Sequence, residues 1–210
     1  MYAVKEMFYS LQGEGFHAGR PAVFCRFSGC NLWSGREADR ATASCRFCDT
    51  DFVGTDGLGG GKFATASALG TAIEAMWPQG LIDHRFVVFT GGEPLLQLDA
   101  AMVDEVQSRG FMCAVETNGT LPAPDNIDWV TVSPKGAVPL RLERANELKL
   151  VFPQVEHDPH AFDALNVAHR FLQPKEDADR DANLRATIQY CLANPVWRLS
   201  LQTHKYLGIR

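Results

Sequence analysis

The chain lacks the features that would place it at a membrane, outside the cell or on a nucleic acid. No apolar stretch in its 210 residues approaches the ~20 needed to span a bilayer, and the N-terminus lacks the apolar core of a signal peptide. The net charge is only −5, so a basic nucleic-acid-binding surface is not indicated. There is no internal repeat, low-complexity tract or linker. We therefore expect a single domain over residues 1–210, a cytoplasmic location, and neither a membrane nor a nucleic-acid partner.

Cysteine is also too scarce to suggest a disulfide framework, with six residues and no secretory signal. Three of them, Cys30, Cys45 and Cys48, are spaced C-x14-C-x2-C. Three clustered thiolates can bind three irons of a four-iron cluster and leave the fourth iron open to a ligand. A structural zinc site is the alternative, with Cys25 as the fourth ligand. Cys25, however, lies in an alternating segment at 22–27, which indicates a packed strand residue.

A second motif, TGGEP at residues 90–94, follows the apolar run 86–89. Glycines at the end of a strand allow a small ligand to lie close to the backbone. Together the two motifs resemble the radical S-adenosylmethionine (SAM) enzymes, which usually space their cysteines C-x3-C-x2-C. The first gap here is longer, but loop closure costs only about 0.6 kcal/mol per doubling of loop length. An enlarged loop is therefore compatible with a cluster.

The rest of the chain alternates between strand and helix patterns, which predicts an α/β fold with a parallel sheet. Strands are predicted at residues 3–10, 22–28, 85–90, 111–116, 127–133, 148–152, 170–172 and 197–201, and helices at 65–77, 98–109 and 179–192. Residues 56–61 imitate a phosphate-binding loop but lack its pattern, and a turn is predicted there. The resemblance implies a single-domain partial (β/α)6 radical-SAM barrel with an N-terminal extension and an enlarged cluster loop.

Four predicted strands end in polar or glycine-containing residues, at 90–93, 116–119, 133–135 and 173–176. Parallel α/β folds bind ligands at this edge of the sheet, so we expect a ligand site there. The resemblance implies that SAM contacts Phe47, Cys48, Asp49, Gly92, Glu93, Glu116, Ser133, Pro134, Lys135, Gln173, Pro174, Lys175 and Glu176. In that assignment Gly92 and Glu93 receive the amino group of SAM. Considered alone, each charged residue of this set is also compatible with an ordinary solvent-exposed charge in a loop.

Further segments narrow the resemblance to one family. Residues 9–15 (YSLQGEG), 26–30 (RFSGC) and 202–209 (QTHKYLGI) resemble the 7-carboxy-7-deazaguanine synthase family over nearly the whole chain. The implied activity is that of a radical SAM carbon–nitrogen lyase. Its implied reaction is the ring contraction of 6-carboxy-5,6,7,8-tetrahydropterin to 7-carboxy-7-deazaguanine with loss of ammonia, on the route to queuosine and other 7-deazapurines.

The implied substrate site comprises Leu11, Gln12, Gly13, Glu14, Arg26, Thr90, His204 and Arg210. Gln12 and Glu14 suit the aminopyrimidinone edge of a pterin, because an amide and a carboxylate can bind its donors and acceptors. Arg26 alternates away from Cys25, and a guanidinium binds a carboxylate well. An exposed position for Arg26 is the alternative.

The resemblance also implies the cofactors and partners. Thr50 matches the family position that binds Mg²⁺, which joins the [4Fe-4S] cluster and SAM as a cofactor. A flavodoxin-like or ferredoxin-like reductant and a homodimer are expected. Two other interpretations stay open: a glycyl-radical-enzyme activating protein, which shares the Gly-Gly-Glu-Pro type of segment, and a zinc-stabilised module without catalysis.

Overall fold

Nine β-strands and four α-helices make up the regular structure of residues 1–142 and 144–210, the part of the chain that the computed structural model describes. The strands are β1 (Tyr2–Leu11), β2 (Pro21–Phe27), β3 (Gly61–Phe63), β4 (Phe86–Gly91), β5 (Met112–Thr117), β6 (Trp129–Val132), β7 (Glu147–Phe152), β8 (His169–Pro174) and β9 (Arg198–Leu199). The helices are α1 (Ala66–Met76), α2 (Ala100–Ser108), α3 (Arg180–Ala193) and α4 (Thr203–Leu207). All strands join one sheet, in the order β3-β1-β2-β4-β5-β6-β7-β8-β9.

The sheet is mostly parallel, as predicted. Only β1 runs against its neighbours, pairing antiparallel with both β2 and β3. From β2 to β9 each neighbouring pair is parallel, so these strands end at one edge of the sheet. The register pairs Arg26 of β2 with Thr90 of β4, which places two predicted substrate residues side by side.

The two faces of the sheet have different partners because side chains alternate along each strand. On one face, Cys25 and Phe89 pack in a core with Leu69 of α1 and Met102 of α2. On the other face, Val88 packs in a smaller cluster with residues of neighbouring strands. Cys25 is fully buried, which confirms its prediction as a packing residue. Its neighbour in the strand therefore faces away from α1 and α2.

Helices α1 and α2 begin at residues whose side chains cap them. Thr65 accepts a hydrogen bond from the backbone N–H of Ala68 at the start of α1, and Asp99 accepts one from Met102 at the start of α2. The eight predicted strands and three predicted helices are confirmed, with shifted ends. The short elements β3 and α4 were not predicted. No helix in the described part of the chain combines the length and apolar character needed to cross a membrane.

A long segment, residues 28–60, joins β2 to β3 and carries the three cysteines of the motif. It contains a short 3₁₀ helix, Glu37–Thr42. From that helix the Arg40 guanidinium lies 4.0 Å from the centre of the Trp33 ring and donates a hydrogen bond of 3.1 Å to the Cys48 carbonyl oxygen. The residues between the first two cysteines thus form a packed structure that supports the second half of the motif.

Candidate active site

A cavity of about 390 Å³ opens where the parallel strands end. Its wall includes the last residues of β4, β5 and β8 and the first residue after β6. The predicted site residues that line it are Leu11, Gln12, Gly13, Glu14, Arg26, Phe47, Cys48, Asp49, Thr50, Thr90, Gly92, Glu116, Ser133, Lys135, Gln173, Pro174, Lys175, Glu176, His204 and Arg210. Segments from both ends of the chain and from its middle therefore meet in one place.

The predicted residues outside this lining are Cys30, Cys45, Glu93 and Pro134. Gly92 connects the first of them to the cavity, because a Cβ atom added to Gly92 would lie 2.7 Å from the Cβ of Cys30 and against the carbonyl oxygen of Gly29. No side chain other than hydrogen fits at Gly92 without moving the backbone. The strand end at Gly92 thus packs directly on the first cysteine of the motif.

The three thiols lie within electrostatic reach of one another. Burial raises the pKa of Cys30 and of Cys45, and the neighbouring Cys48 raises both further. Lys135 acts in the opposite direction on Cys45. In the described part of the chain, no three His, Cys, Asp or Glu side chains are close enough to share one metal ion. A four-iron cluster makes a different demand, since each thiolate binds its own iron. We call Cys30, Cys45, Cys48 and Gly92 the thiol wall.

Glu93 is fully buried, and other groups of the protein donate hydrogen bonds to its carboxylate. Glu93 accepts hydrogen bonds from the Thr117 hydroxyl at 2.7 Å, the Asn118 backbone N–H at 2.8 Å and the Leu95 backbone N–H at 3.0 Å. Burial raises its pKa, whereas these donors act to lower it. The carboxylate therefore ties the end of β4 to the end of β5, and Gly92 beside it faces the cavity.

The opposite side of the cavity carries buried charge. The Lys149 ammonium contacts the Glu14 carboxylate and lies 3.5 Å from an oxygen of Glu116. The side-chain amide of Gln12 donates to Glu116 at 3.0 Å, and the amide of Gln202 donates to Glu14 at 2.9 Å. We call Gln12, Glu14, Glu116 and Lys149 the charged wall. Its polar groups are held by one another before any ligand is bound.

Two glycines allow the segment that follows β1 to lie close to helix α4 and to β7. A Cβ atom at Gly13 would collide with the His204 ring, and the Gly13 carbonyl oxygen accepts the N–H of Thr203 at 3.0 Å. Gly15 has a φ of +66°, and a Cβ atom there would collide with the Glu147 carboxylate. Helix α4 is therefore anchored on the Gln12–Glu14 segment, which places His204 at the cavity.

Arg26 lines the cavity and does not lie on an outer surface, which excludes the alternative of an exposed strand residue. Its Nε atom is 3.0 Å from a carboxylate oxygen of Glu6, and the other oxygen of Glu6 lies 3.6 Å from the Arg210 guanidinium. The carbonyl oxygen of Arg210 accepts a hydrogen bond of 2.6 Å from the Ser10 hydroxyl. Glu6 therefore draws two cationic side chains to one side of the cavity.

Thr50 lies at the cavity between two carboxylates that already have partners. Asp49 is 2.9 Å from the Lys205 ammonium of α4, and Asp51 is 3.0 Å from the Lys5 ammonium of β1. These ion pairs fix the chain on both sides of Thr50. The lysines also balance the charge of the two carboxylates beside Thr50.

Sequence reasoning missed Lys149 and Gln202, although both line the cavity. For Lys149 a signal was present, because it stands between Leu148 and Leu150 in a strand that otherwise reads as apolar. A lysine in such a strand needs a buried acid as its partner. Gln202 gave no comparable signal, since its role depends on α4, which is too short to be predicted.

No family model matches the chain. The 7-carboxy-7-deazaguanine synthase of Bordetella pertussis is 62% identical to it over 208 residues, which cover 99% of each chain. The synthase of the same name from Caulobacter vibrioides is 60% identical, again over 99% of each chain. The chain belongs to the 7-carboxy-7-deazaguanine synthase family.

A solved structure agrees with this family membership. The crystal structure of QueE from Escherichia coli matches with a TM-score of 0.70 and 31% sequence identity, covering 95% of this chain and 93% of that one. The similarity confirms the α/β fold and the resemblance inferred from the sequence. Relatives named as synthases over their full length also indicate an enzyme, and they favour neither a zinc-stabilised module nor an activating protein for glycyl-radical enzymes.

Proposed function

We propose that this synthase is a radical SAM carbon–nitrogen lyase that converts 6-carboxy-5,6,7,8-tetrahydropterin to 7-carboxy-7-deazaguanine with loss of ammonia. The observation that carries the proposal is that Cys48 and Gly92 of the thiol wall line the same cavity as the charged wall. The product name is that of the relatives with up to 62% identity. The six parallel strands from β2 to β8 support a partial (β/α)6 barrel in which the single domain, residues 1–210, encloses the reaction.

The residues present fit a [4Fe-4S] cluster and SAM. Three thiols would supply the ligands of three irons, and Gly92 lets the end of β4 pack directly against Cys30, where any Cβ atom would collide. With Glu93 engaged by backbone donors, SAM's amino group would meet Gly92 and the strand-end carbonyl groups. Residues 133–135 and 173–176 lie on the same cavity and would hold the ribose, carboxylate and adenine. When bound, the pair supplies one-electron cleavage of SAM and hydrogen abstraction.

Within the charged wall, Gln12 and Glu14 would bind the pterin ring and Glu116 the ribose of SAM, while the arginines would bind the pterin carboxylate. The ionised Glu14 would accept hydrogen bonds from the aminopyrimidinone edge, and the Gln12 amide can both donate and accept there. Arg26 would bind the substrate carboxylate with two hydrogen bonds. The guanidinium must then exchange part of its contact with Glu6 for the substrate. His204 and Thr90 border the same space and would fix the orientation of the ring.

Thr50 would contribute a hydroxyl oxygen to Mg²⁺. Magnesium binds hard oxygen ligands in octahedral geometry and keeps several waters, so a single protein oxygen is compatible with its site. The substrate carboxylate would supply a further oxygen. Because Asp49 and Asp51 are paired with lysines, neither is free to replace Thr50 as the ligand without losing its ion pair.

Two partners complete the proposal. The cluster must receive an electron from outside the chain, which calls for a flavodoxin-like or ferredoxin-like donor. A homodimer stays a prediction from the family resemblance.

Anaerobic incubation with a chemical reductant, SAM and 6-carboxy-5,6,7,8-tetrahydropterin tests the function. Mass spectrometry should show 7-carboxy-7-deazaguanine, with ammonia released in equal amount. Omission of SAM is the control and should leave the pterin unchanged. Reductive cleavage of SAM without any loss of the pterin would retain the cofactor assignment and reject the substrate.

A further inference from the structure

Lys149 is the least exposed charged group at the cavity, with 6% of its side chain accessible. It lies on β7, opposite the segment that follows β1 and the end of β5. Three carboxylates from different elements surround it: Glu14, Glu116 and Glu147. A buried ammonium and buried carboxylates are each strongly disfavoured alone, so the group is retained only as a set.

We propose that Lys149 is a positioning residue that keeps Glu14 ionised and thereby fixes the donor-binding side of the substrate pocket. This inference rests on the proposed function, because the ligand it serves is the aminopyrimidinone edge of the pterin. Such an edge offers N–H donors, and only an ionised carboxylate accepts at both of its oxygens. Lys149 acts through the acids and needs no contact with the substrate.

The charge balance supports the proposal. Burial by itself raises the pKa of Glu14, but Lys149 and the Gln202 amide outweigh burial and lower that pKa to about 2. His204, which faces Glu14 from α4, acts in the same direction. Burial raises the pKa of Glu147, whereas Lys149 acts to lower it. Without the Lys149 charge, burial would be the largest influence on the pKa of Glu14 and would raise it.

The sign of the pH effect follows from this balance. In the wild type, Glu14 stays a carboxylate throughout the neutral range. In Lys149→Met the unpaired acid becomes protonated at low pH and regains its charge as the pH rises. Pterin binding should therefore improve with rising pH in the variant relative to the wild type.

The test measures KM and kcat for the pterin, and Kd for SAM, between pH 6 and 9 in the iron-loaded enzyme. Lys149→Met should raise the pterin KM by roughly 10–100-fold at neutral pH, the loss expected for charged hydrogen bonds, with SAM affinity unchanged. Lys149→Arg keeps the charge, so the ratio of its pterin KM to the wild-type KM should not change with pH. Lys62→Met, an exposed lysine on β3, is the matched control and should behave as wild type.

The double variant Lys149→Met, Glu14→Gln keeps the proposal testable even if the unpaired acid unfolds the single variant. Its pterin KM should equal that of Glu14→Gln alone, because Lys149 acts through Glu14. A KM that stays at the wild-type value in Lys149→Met, or rises equally at every pH, would overturn the inference. Wild-type enzyme that cleaves SAM but does not bind the pterin would instead reject the proposed function.

Discussion

The two walls of the cavity are built by different means. The charged wall lies on β1, β5 and β7 or directly beside them, and its groups are already held by mutual hydrogen bonds and ion pairs. The thiol wall lies mainly in the long segment between β2 and β3, where the packing of Arg40 and Trp33 supports the cysteines. We infer that the charged wall, proposed as the substrate side, is preorganised by its own contacts, whereas the thiol wall, proposed as the cofactor side, is completed by the cluster that it would bind.

The largest effect should come from removing a ligand of the thiol wall. Replacement of Cys30, Cys45 or Cys48 by Ala should abolish the brown absorbance, the bound iron and the activity, because a three-thiolate site has no spare ligand. The measurement is iron content and visible absorbance after anaerobic reconstitution.

The other cysteines serve as matched controls. Cys113 and Cys25 are buried in the core, and burial raises the pKa of Cys113 to about 12, so neither offers a ready thiolate. Ala at Cys25, Cys113 or Cys191 should leave the iron content unchanged. Iron loss in Cys25→Ala together with normal iron in Cys30→Ala would show that the wrong thiols have been assigned.

Among the proposed substrate residues, Arg26 should show the next largest effect. Arg26→Ala should reduce turnover of the pterin by roughly 10–100-fold, because a charge-assisted pair with a carboxylate contributes about 1.5–3 kcal/mol. SAM cleavage without substrate should continue. Steady-state kinetics with the exposed Arg180→Ala as control measure the effect. Kinetics equal to wild type in Arg26→Ala would mean that the guanidinium serves only its ion pair with Glu6.

Thr50→Val should have a smaller effect, confined to the response to magnesium. The substitution removes one oxygen at nearly constant volume, so the fold and the iron content should persist. Turnover should fall and lose most of its response to added Mg²⁺. Thr42→Val, an exposed threonine in the same segment, is the control. An anaerobic rate that neither a chelator nor Thr50→Val changes would reject the metal assignment.

Glu93→Gln tests the hydrogen bonds that join the end of β4 to the end of β5, and it should mainly affect the stability of the fold. An amide has one oxygen for the three donors that Glu93 now satisfies, so at least one donor faces an N–H group. An unsatisfied buried donor costs about 1–3 kcal/mol, and each kcal/mol lowers Tm by roughly 2–4 °C in a chain of this size. Thermal unfolding with Glu156→Gln, an exposed control, measures the difference. An unchanged Tm would show that these hydrogen bonds are dispensable.

The sequence predicted the sheet because its strands carry strong apolar patterns, as in Phe86–Phe89, and its helices have clear caps and stops. Alternation with Cys25 also predicted that Arg26 faces away from the core, with an exposed position left open as the alternative. The sequence did not predict β3 or α4, which are too short to show a period. Nor did it reveal the Glu14–Lys149 contact, because that pair joins residues far apart in the chain.

Pterin binding without a cluster tests the difference between the walls most directly. Equilibrium dialysis compares wild type, Cys45→Ala and Glu14→Gln, each with SAM and with the pterin. If the charged wall is preorganised, Cys45→Ala loses SAM binding but keeps a pterin Kd close to wild type, and Glu14→Gln shows the reverse. Loss of pterin binding in Cys45→Ala, or normal pterin binding in Glu14→Gln, would contradict this account.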